Sequence, residues 1–271
     1  MTAPDASDDP SSASTTKSLE ERYFITALSR GLDVLACFRP GDRALSNQQI
    51  AERCGLPKST VTRIVFTLLQ RGYLVSADNG NGYALGTATL ALGSTMLARM
   101  DIRQFARPLM HELSEFASAT LALGVRDRLS IIYTEVARST ATLALTLQVG
   151  SRVPLATSAI GRAYLAMASD RERTAVLRAA EDFDDAAVQA IRAGRERGAR
   201  DVREYGCATS FGEWQKDVNG IAVAFRSSGP YSTLALNCGG PASSLSKEFL
   251  LDEVRPRLIR LADALQSSGL S

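Results

Sequence analysis

The segment "GLPKSTVTRIVFTLLQRGYLV", Gly55 to Val75, decides the fold of the first part of this chain. Pro57 suits the first turn of a helix, because its fixed φ and missing N–H cost nothing there. At about 100° per residue, one set of side chains falls within an arc of about 140° and is wholly apolar: Val61, Ile64, Val65, Leu68 and Leu69. The opposite side carries Ser59, Arg63, Phe66 and Gln70, with Thr60, Thr62 and Thr67 on the flanks. We therefore predict an amphipathic helix with a core face and a polar, cationic face.

The residues on either side of this helix complete a pattern. Ser46 and Gln49 form a capping-box signature at the start of "SNQQIAERCG", and Gly55 is a natural helix stop. From about Arg22 onward an earlier helix is predicted by apolar residues at three- and four-residue steps: Ile25, Leu28, Leu32, Leu35 and Phe38. After the central helix, "YLVS" and "YAL" flank "ADNGNG", a hairpin-turn signal. Three helices followed by a hairpin predict a winged helix-turn-helix.

The polar face of the central helix is a candidate DNA-reading surface. In a helix-turn-helix, the second helix enters the major groove and its N-terminal residues reach base edges. Lys58, Arg63 and Arg71 carry three positive charges, with no acidic residue between Leu56 and Arg71. The predicted DNA-binding residues are Ser46, Asn47, Lys58, Ser59, Thr60, Thr62, Arg63 and Thr67. An isolated helix of this kind more often has a merely solvated face, but the capped helix before it and the hairpin after it favour DNA.

Composition narrows the class of protein. The chain has 271 residues, enough for one large domain or two smaller ones, and 31 basic against 29 acidic side chains, so only a local patch could attract a charged partner. Its four widely spaced cysteines contain no C-x-x-C, which argues against a disulfide framework or a cysteine zinc site. No apolar run is long enough to span a membrane. The Ser/Thr/Asp/Pro-rich start lacks signal-peptide features and predicts a disordered tail over 1–21 in a cytoplasmic protein.

The rest of the chain predicts an α+β domain. "TATLALGSTMLARM" is an apolar, helix-capable connector, and an amphipathic helix follows with Phe105, Leu109, Leu113 and Phe116 as its apolar stripe. "TLALGVRD", "LSIIYTEVA" and "TLALTLQV" suggest a β-meander, and "GCATS", "GIAVAFR" and "YSTLALNC" a second set of strands, with helices between the two sets. A last helix runs from about Ser244 to Leu265, with an apolar stripe formed by Leu250, Val254, Leu258, Leu261 and Leu265. The sheet is expected to be mostly antiparallel.

Enzyme and metal signatures are weak. "GNGYALG" resembles a nucleotide-binding glycine pattern, but it lies in a hairpin turn, where the phosphate-cradling geometry is missing. His111 is the only histidine, and its charged helix favours a surface position over a catalytic relay. The acidic run Glu181 to Asp185 is explained by a helix start. We predict no catalytic residue, no metal site and no cofactor.

One helix start is more suggestive of a ligand site. If a helix begins near Ser158, the N–H groups of Ala159, Ile160 and Gly161 form a positive end that could hold a carboxylate. Ordinary N-capping by Ser158 explains the same residues. From these residues alone the two interpretations remain open.

Several blocks, in order, resemble the IclR family of bacterial transcription regulators, over nearly everything from Phe24 to Gln266. They are "ALSRGLDVLACF", "LSNQQIAERCGLPKSTVTRIVFTLLQRGYL", "YALGTATLALG", "GSRVPLATSAIGRAYLA", "FGEWQKDVNGIAVAF" and "LALNCGGP". The resemblance implies a winged helix-turn-helix over 22–86, a connecting dimerisation helix over 87–101 and a GAF-like effector-binding domain over 102–271. It also implies a homodimer or homotetramer that binds double-stranded, near-palindromic operator DNA.

The resemblance also implies an effector pocket. Carried over position by position, its lining is Leu145, Val153, Ser158, Ala159, Ile160, Gly161, Ser210, Val218, Gly220, Asn237 and Gly239. Ser210, Gly220 and Gly239 depart from side chains found in some relatives, and the lining is short of polar groups. This favours a ring or acyl chain over a two- or three-carbon acid. Arg162 replaces the family's usual lysine and keeps its charge.

The sequence thus predicts a ligand-responsive DNA-binding regulator, a repressor or activator of a catabolic operon, that senses a small organic or aromatic acid. The alternative is a small-molecule sensor or enzyme whose N-terminal helices mediate protein contacts. A structural oligomerisation module is disfavoured, because the polar arc of the central helix offers only Phe66 as apolar contact area.

Overall fold

A computed structural model describes residues 23–39, 41–77, 80, 82–140 and 147–270. The chain divides into two compact units, residues 1–94 and 95–271. The predicted tail over 1–21, Leu145, most of the predicted strand "TLALTLQV" and both asparagines of the hairpin turn lie outside the described residues.

In its described residues, the first unit contains three helices, a β-hairpin and most of a fourth helix. These are α1 (Thr26–Ala36), α2 (Asn47–Cys54), α3 (Lys58–Gln70), β1 (Leu74–Ser76), β2 (Tyr83–Leu85) and α4 (Thr87–Ala98). The predicted capping box of α2 is present, since Ser46 accepts from the Gln49 amide and the Gln49 side chain accepts from the Ser46 amide. Gly55 ends α2 with φ +63°, a left-handed conformation that favours glycine. The antiparallel hairpin forms the wing, and the winged helix-turn-helix is confirmed.

The core of this unit confirms the predicted inner face of α3 and changes the expected role of α1. Val61 and Val65 are fully buried, together with Val34, Ile50 and Leu74. The predicted apolar stripe of α1, by contrast, mostly faces away from this core, with Ile25, Leu28 and Leu32 between 57% and 65% exposed. An exposed apolar face of this kind is typical of an interaction surface.

The second unit is an α+β domain, as predicted. It contains α5 (Asp101–Ala117), β3 (Thr120–Asp127), β4 (Ser130–Arg138), β5 (Arg152–Pro154), α6 (Ala159–Met167), α7 (Asp170–Glu181), α8 (Asp185–Tyr205), β6 (Ala208–Phe211), β7 (Val218–Arg226) and β8 (Thr233–Pro241). The last helical stretch has three parts, α9 (Lys247–Phe249), a π-helical turn (Leu250–Val254) and α10 (Arg255–Ser267). Within the described ranges, no helix is both long and apolar enough to cross a lipid bilayer.

The strands form one sheet, where the sequence suggested two separate sets. Within the described residues its six strands have the order β5-β4-β3-β8-β7-β6, and every neighbouring pair is antiparallel. The two sets join through β3 and β8, which are far apart in the sequence but pair from Thr120–Gly239 to Gly124–Ala235. Turn signals cannot reveal a pairing between strands so distant in the chain.

Each face of the sheet is covered by helices. Side chains alternate between the faces along a strand, so Leu121 and Leu123 pack with α5 and α10, whereas Ala122 packs with α6. The α8 backbone lies close to α6, since a Cβ at Gly198 would fall 2.4 Å from the Arg162 carbonyl oxygen. Helix α6 is therefore held between the sheet and α8.

Two details of the helices differ from the prediction. In α5 the buried positions are Ile102, Ala106, Met110, Leu113, Ser114 and Ala117. Phe105 and Phe116 are more than 40% exposed, so the stripe predicted from the largest side chains was wrong at these positions. The last helix includes a π turn, yet its predicted stripe is fully correct: Leu250, Val254, Leu258, Leu261 and Leu265 are all buried.

Candidate nucleic-acid and ligand sites

The outer face of α3 is exposed and polar. Five of the predicted DNA-binding residues lie on this face and are exposed: Lys58, Ser59, Thr62, Arg63 and Thr67. Thr60 is half-buried. Within the described part of the chain, Arg63 has no ion-pair partner. Phe66 is 64% exposed and adds an apolar ring to the same face. The face therefore offers an uncompensated guanidinium beside several hydroxyl groups, which suits phosphates and base edges.

Some of the predicted DNA-binding residues also hold the two helices together. The Asn47 side-chain amide donates to Thr62 Oγ1 at 2.9 Å, and Thr62 Oγ1 donates to the Lys58 carbonyl, also at 2.9 Å. Lys58 Nζ donates to Gln48 Oε1 at 3.1 Å, and Ser46 caps α2. Sequence reasoning did not reveal these contacts. They fix the angle between α2 and α3, so Ser46 and Asn47 position the α3 face besides offering groups of their own.

In the second unit, one transverse row of residues crosses four strands. Ser210 on β6 pairs with Gly220 on β7, Gly220 pairs with Gly239 on β8, and Gly239 pairs with Thr120 on β3. Residues directly opposite each other share a face of the sheet. A Cβ at Gly220 would lie 3.9 Å from Ala159 Cβ, which places the row on the face covered by α6.

The start of α6 adjoins this row. Ser210 Oγ donates to the Thr157 carbonyl at 2.8 Å, and this bond ties β6 to the residue before the helix cap. Ser158 caps α6 by accepting from the Gly161 amide at 3.1 Å. The expectation of three free amides is therefore wrong at Gly161, and at most Ala159 and Ile160 can offer N–H groups to a ligand.

Among the described residues, two buried polar atoms near this row have no hydrogen-bond partner: Thr120 Oγ1 and Asn237 Oδ1. Asn237 lies one row along from Gly239, and its amide hydrogen-bonds the buried Tyr133 phenol. Burial raises the pKa of that phenol well above its ordinary value, so it stays neutral. Unpaired buried polar atoms cost free energy, so these two atoms are candidate ligand contacts.

The lining around these polar atoms is built from small side chains. The next row of the same face contains Ala208, Ala222, Asn237 and Ala122. Gly124 lies one row further, where a Cβ would fall 2.4 Å from Ile131 Cγ2 and 3.3 Å from Ile160 Cδ1. Small residues therefore let α6 pack closely on the sheet.

The Arg162 side chain is held by internal contacts. It is buried, donates to the Thr209 and Ala156 carbonyls, and pairs with Glu213 at 2.8 Å. Burial alone would raise the pKa of Glu213, but the hydrogen bond and charge of Arg162 outweigh it and hold the pKa below its usual value. The positive charge noted in the sequence therefore serves to fix α6 against β6.

The structure brings some of the remaining predicted pocket residues close to this site. Val153 is buried with Ile160 and Ala159 in one core cluster. Val218 is buried two residues before Gly220 and therefore lies on the same face of β7. Sequence reasoning missed Thr120, Ala122 and Tyr133. Thr120 and Ala122 join the site through the β3–β8 pairing, and Tyr133 joins it through Asn237. Neither contact is a local signal in the sequence.

No group of three or more histidine, cysteine, aspartate or glutamate side chains in the described ranges could hold a metal ion. His111 lies exposed on α5, as predicted.

Comparisons with known proteins match both units. The family model for the bacterial transcriptional regulator IclR C-terminal domain matches residues 94–267, and that for the IclR helix-turn-helix domain matches residues 27–78. The HTH-type transcriptional regulator TsaQ1/TsaQ2 of Comamonas testosteroni is 31% identical over 247 residues, covering 90% of this chain and 88% of that protein.

Solved structures agree. An IclR family transcriptional regulator from Brucella abortus is 42% identical, with a TM-score of 0.79, covering 92% of this chain and 94% of its own. An IclR homologue from Microbacterium hydrocarbonoxydans, solved in complex with 4-hydroxybenzoate, is 25% identical, with a TM-score of 0.68, covering 90% of this chain and 99% of its own. The chain belongs to the IclR family of DNA-binding bacterial transcriptional regulators, whose members are not enzymes.

Proposed function

We propose that this protein is a ligand-responsive regulator of a bacterial catabolic operon that binds near-palindromic operator DNA through the outer face of α3. The observation that carries the DNA contact is the exposed, unpaired Arg63 among the hydroxyl groups of that face. A small acid bound between the sheet and α6 changes the affinity for DNA by favouring one arrangement of the oligomer. Such a regulator works in the cytoplasm, where its DNA is.

The proposed effector is an organic acid that carries an aromatic ring or a comparable apolar group. The glycine and alanine lining supports this, because it is apolar and offers few polar partners. The unpartnered Thr120 hydroxyl and Asn237 carbonyl supply the few polar contacts that orient such a ligand. Ala159 and Ile160 at the start of α6 supply N–H groups for its carboxylate. The ligand of the Microbacterium homologue, 4-hydroxybenzoate, is likewise an acid with an aromatic ring.

The proposed oligomer is a homodimer or homotetramer. Its support is the apolar surface of the first unit, where Leu28 and Leu32 on α1, and Leu90 and Leu92 on α4, are all more than half exposed. A second copy would bury such side chains. Two recognition helices in a twofold dimer would read a near-palindrome.

Replacing Thr120 by valine tests the ligand site. The change keeps the shape of the side chain and removes a buried hydroxyl that has no partner, so we expect thermal stability to be unchanged or higher. Losing a hydrogen bond to a carboxylate should lower ligand affinity by about tenfold or more. A thermal-shift screen of organic and aromatic acids, beginning with 4-hydroxybenzoate, gives the ligand, and calorimetry gives the affinities.

Thr134→Val is the matched control. Its hydroxyl is also buried but donates to the Leu123 carbonyl at 3.2 Å. This variant should lose stability and keep wild-type ligand affinity. Wild-type affinity in Thr120→Val would place the ligand elsewhere.

A further inference from the structure

The structure brings together two cysteines that are far apart in the sequence. Cys37 follows the last residue of α1, and Cys54 is the last residue of α2. The Asp33 carbonyl oxygen accepts from the Cys37 amide at 3.0 Å and from Cys54 Sγ at 3.6 Å. The two thiols are close enough for each to affect the pKa of the other. The C-terminal ends of α1 and α2 therefore meet at a pair of thiols.

These thiols differ from the other two cysteines in their access to solvent. Cys37 and Cys54 are half-buried, whereas Cys207 and Cys238, in the second unit, are fully buried. Small molecules can therefore reach the first pair in the folded protein. All four cysteines are free thiols in the structure.

A fixed set of contacts holds the pair in place. The Arg53 guanidinium donates to the Cys37 carbonyl at 3.0 Å and pairs with Asp42 at 2.6 Å. Arg53 directly precedes Cys54, so this bond anchors the end of α2 against the end of α1. The charged groups near the thiols are Arg53, Asp42 and Asp33.

We propose that Cys37 and Cys54 form a dithiol site that closes to a disulfide by exchange with a low-molecular-weight disulfide such as oxidised glutathione. In the first step the thiolate of one cysteine attacks the S–S bond, forms a mixed disulfide and releases one reduced glutathione. The second thiolate then attacks the protein sulfur of that mixed disulfide and releases the second glutathione. Two protein thiols are oxidised, one glutathione disulfide is reduced, and the two thiol protons pass to the glutathione thiolates or to solvent.

The local environment predicts how the closure rate depends on pH. Burial, followed by the neighbouring Cys54, raises the pKa of Cys37 to about 12. Burial also raises the pKa of Cys54. The thiolate is the attacking species, so the rate should rise by about tenfold per pH unit between pH 7 and pH 9. Few thiolates are present near pH 7, so closure is slow there and needs an excess of the disulfide.

The test treats the folded, full-length protein with excess oxidised glutathione, quenches free thiols by alkylation and maps the peptides without reduction. We expect wild type to fall from four free thiols to two, with a Cys37–Cys54 crosslink. Cys37→Ser should stop at a glutathione adduct on Cys54, and Cys54→Ser at one on Cys37. Cys207→Ala should crosslink at the wild-type rate.

The crosslink should also raise the melting temperature of the first unit, because it limits the freedom of the unfolded chain. A wild-type protein that carries glutathione on both cysteines without a crosslink would overturn the proposal. So would a crosslink that forms only after unfolding in urea.

Discussion

Arg63→Ala is expected to weaken operator binding by about 1–3 kcal/mol, roughly five- to 150-fold, while thermal stability stays close to wild type. Arg63 lies exposed on the outer face of α3, and none of the ion pairs in the described residues involves it, so its removal disturbs no internal contact. If Arg63 contacts a guanine or a phosphate, its removal weakens the complex with DNA and leaves the stability of the free protein unchanged. Fluorescence anisotropy with an operator selected from random DNA by the wild-type protein gives the affinity.

A charge-matched control separates this contact from a general loss of positive charge. Arg178→Ala removes the same charge from an exposed position on α7 in the second unit. Its operator affinity should remain near wild type. If Arg63 contacts a phosphate, its variant should also show a shallower dependence of affinity on salt, because fewer counterions are released. Unchanged binding by Arg63→Ala would rule out the assigned DNA face.

Gly161→Ala should strongly destabilise the second unit. A Cβ at this position would lie 2.2 Å from the Leu155 carbonyl oxygen and 2.5 Å from the Leu155 Cα, both of them backbone atoms. Neither can move without shifting the chain that leads into α6, so we expect a loss of about 3 kcal/mol in the free energy of unfolding. Urea denaturation followed by circular dichroism measures this loss.

The control for this prediction is Gly240→Ala, in the same unit. There the nearest atom to a new Cβ is the flexible end of the Leu245 side chain, at 3.4 Å, so stability should change little. Equal stability of Gly161→Ala and Gly240→Ala would contradict the close packing of α6 on the segment before it. Gly161 was predicted as a pocket residue, but its close contacts show that glycine is needed there for packing.

Most elements of the fold could be predicted from local signals in the sequence. The Ser46 capping box, the Gly55 stop and the Ser158 cap are formed by neighbouring residues, and each appears in the structure as the sequence predicts. The buried stripe of the last helix was also predictable, because its period survives the π turn. The exposed polar arc of α3 follows from helical geometry alone.

Non-local contacts set the limit of the sequence analysis. The row from Ser210 to Thr120 depends on β8 pairing with both β3 and β7, and no short pattern encodes that order. The Asn47–Thr62 bond between α2 and α3 is of the same kind. On α1, apolar periodicity identified a face but could not say whether the domain's own core or another chain covers it.

Burial also decides which pocket residues make useful probes. Ile160 is only 1% exposed and belongs to the core cluster around Val153, so a charged side chain there would unfold the domain. Thr120 is a better choice, because its hydroxyl has no structural partner.

The most direct test of a ligand-responsive regulator measures operator affinity with and without the acid that gives the largest thermal shift. Fluorescence anisotropy at fixed salt should show that a saturating amount of this acid changes the wild-type dissociation constant by about 5- to 150-fold, the usual range of allosteric coupling. Thr120→Val should bind operator like wild type and respond to the acid only at higher concentrations. The account would be contradicted if the acid bound wild type and left its operator affinity unchanged.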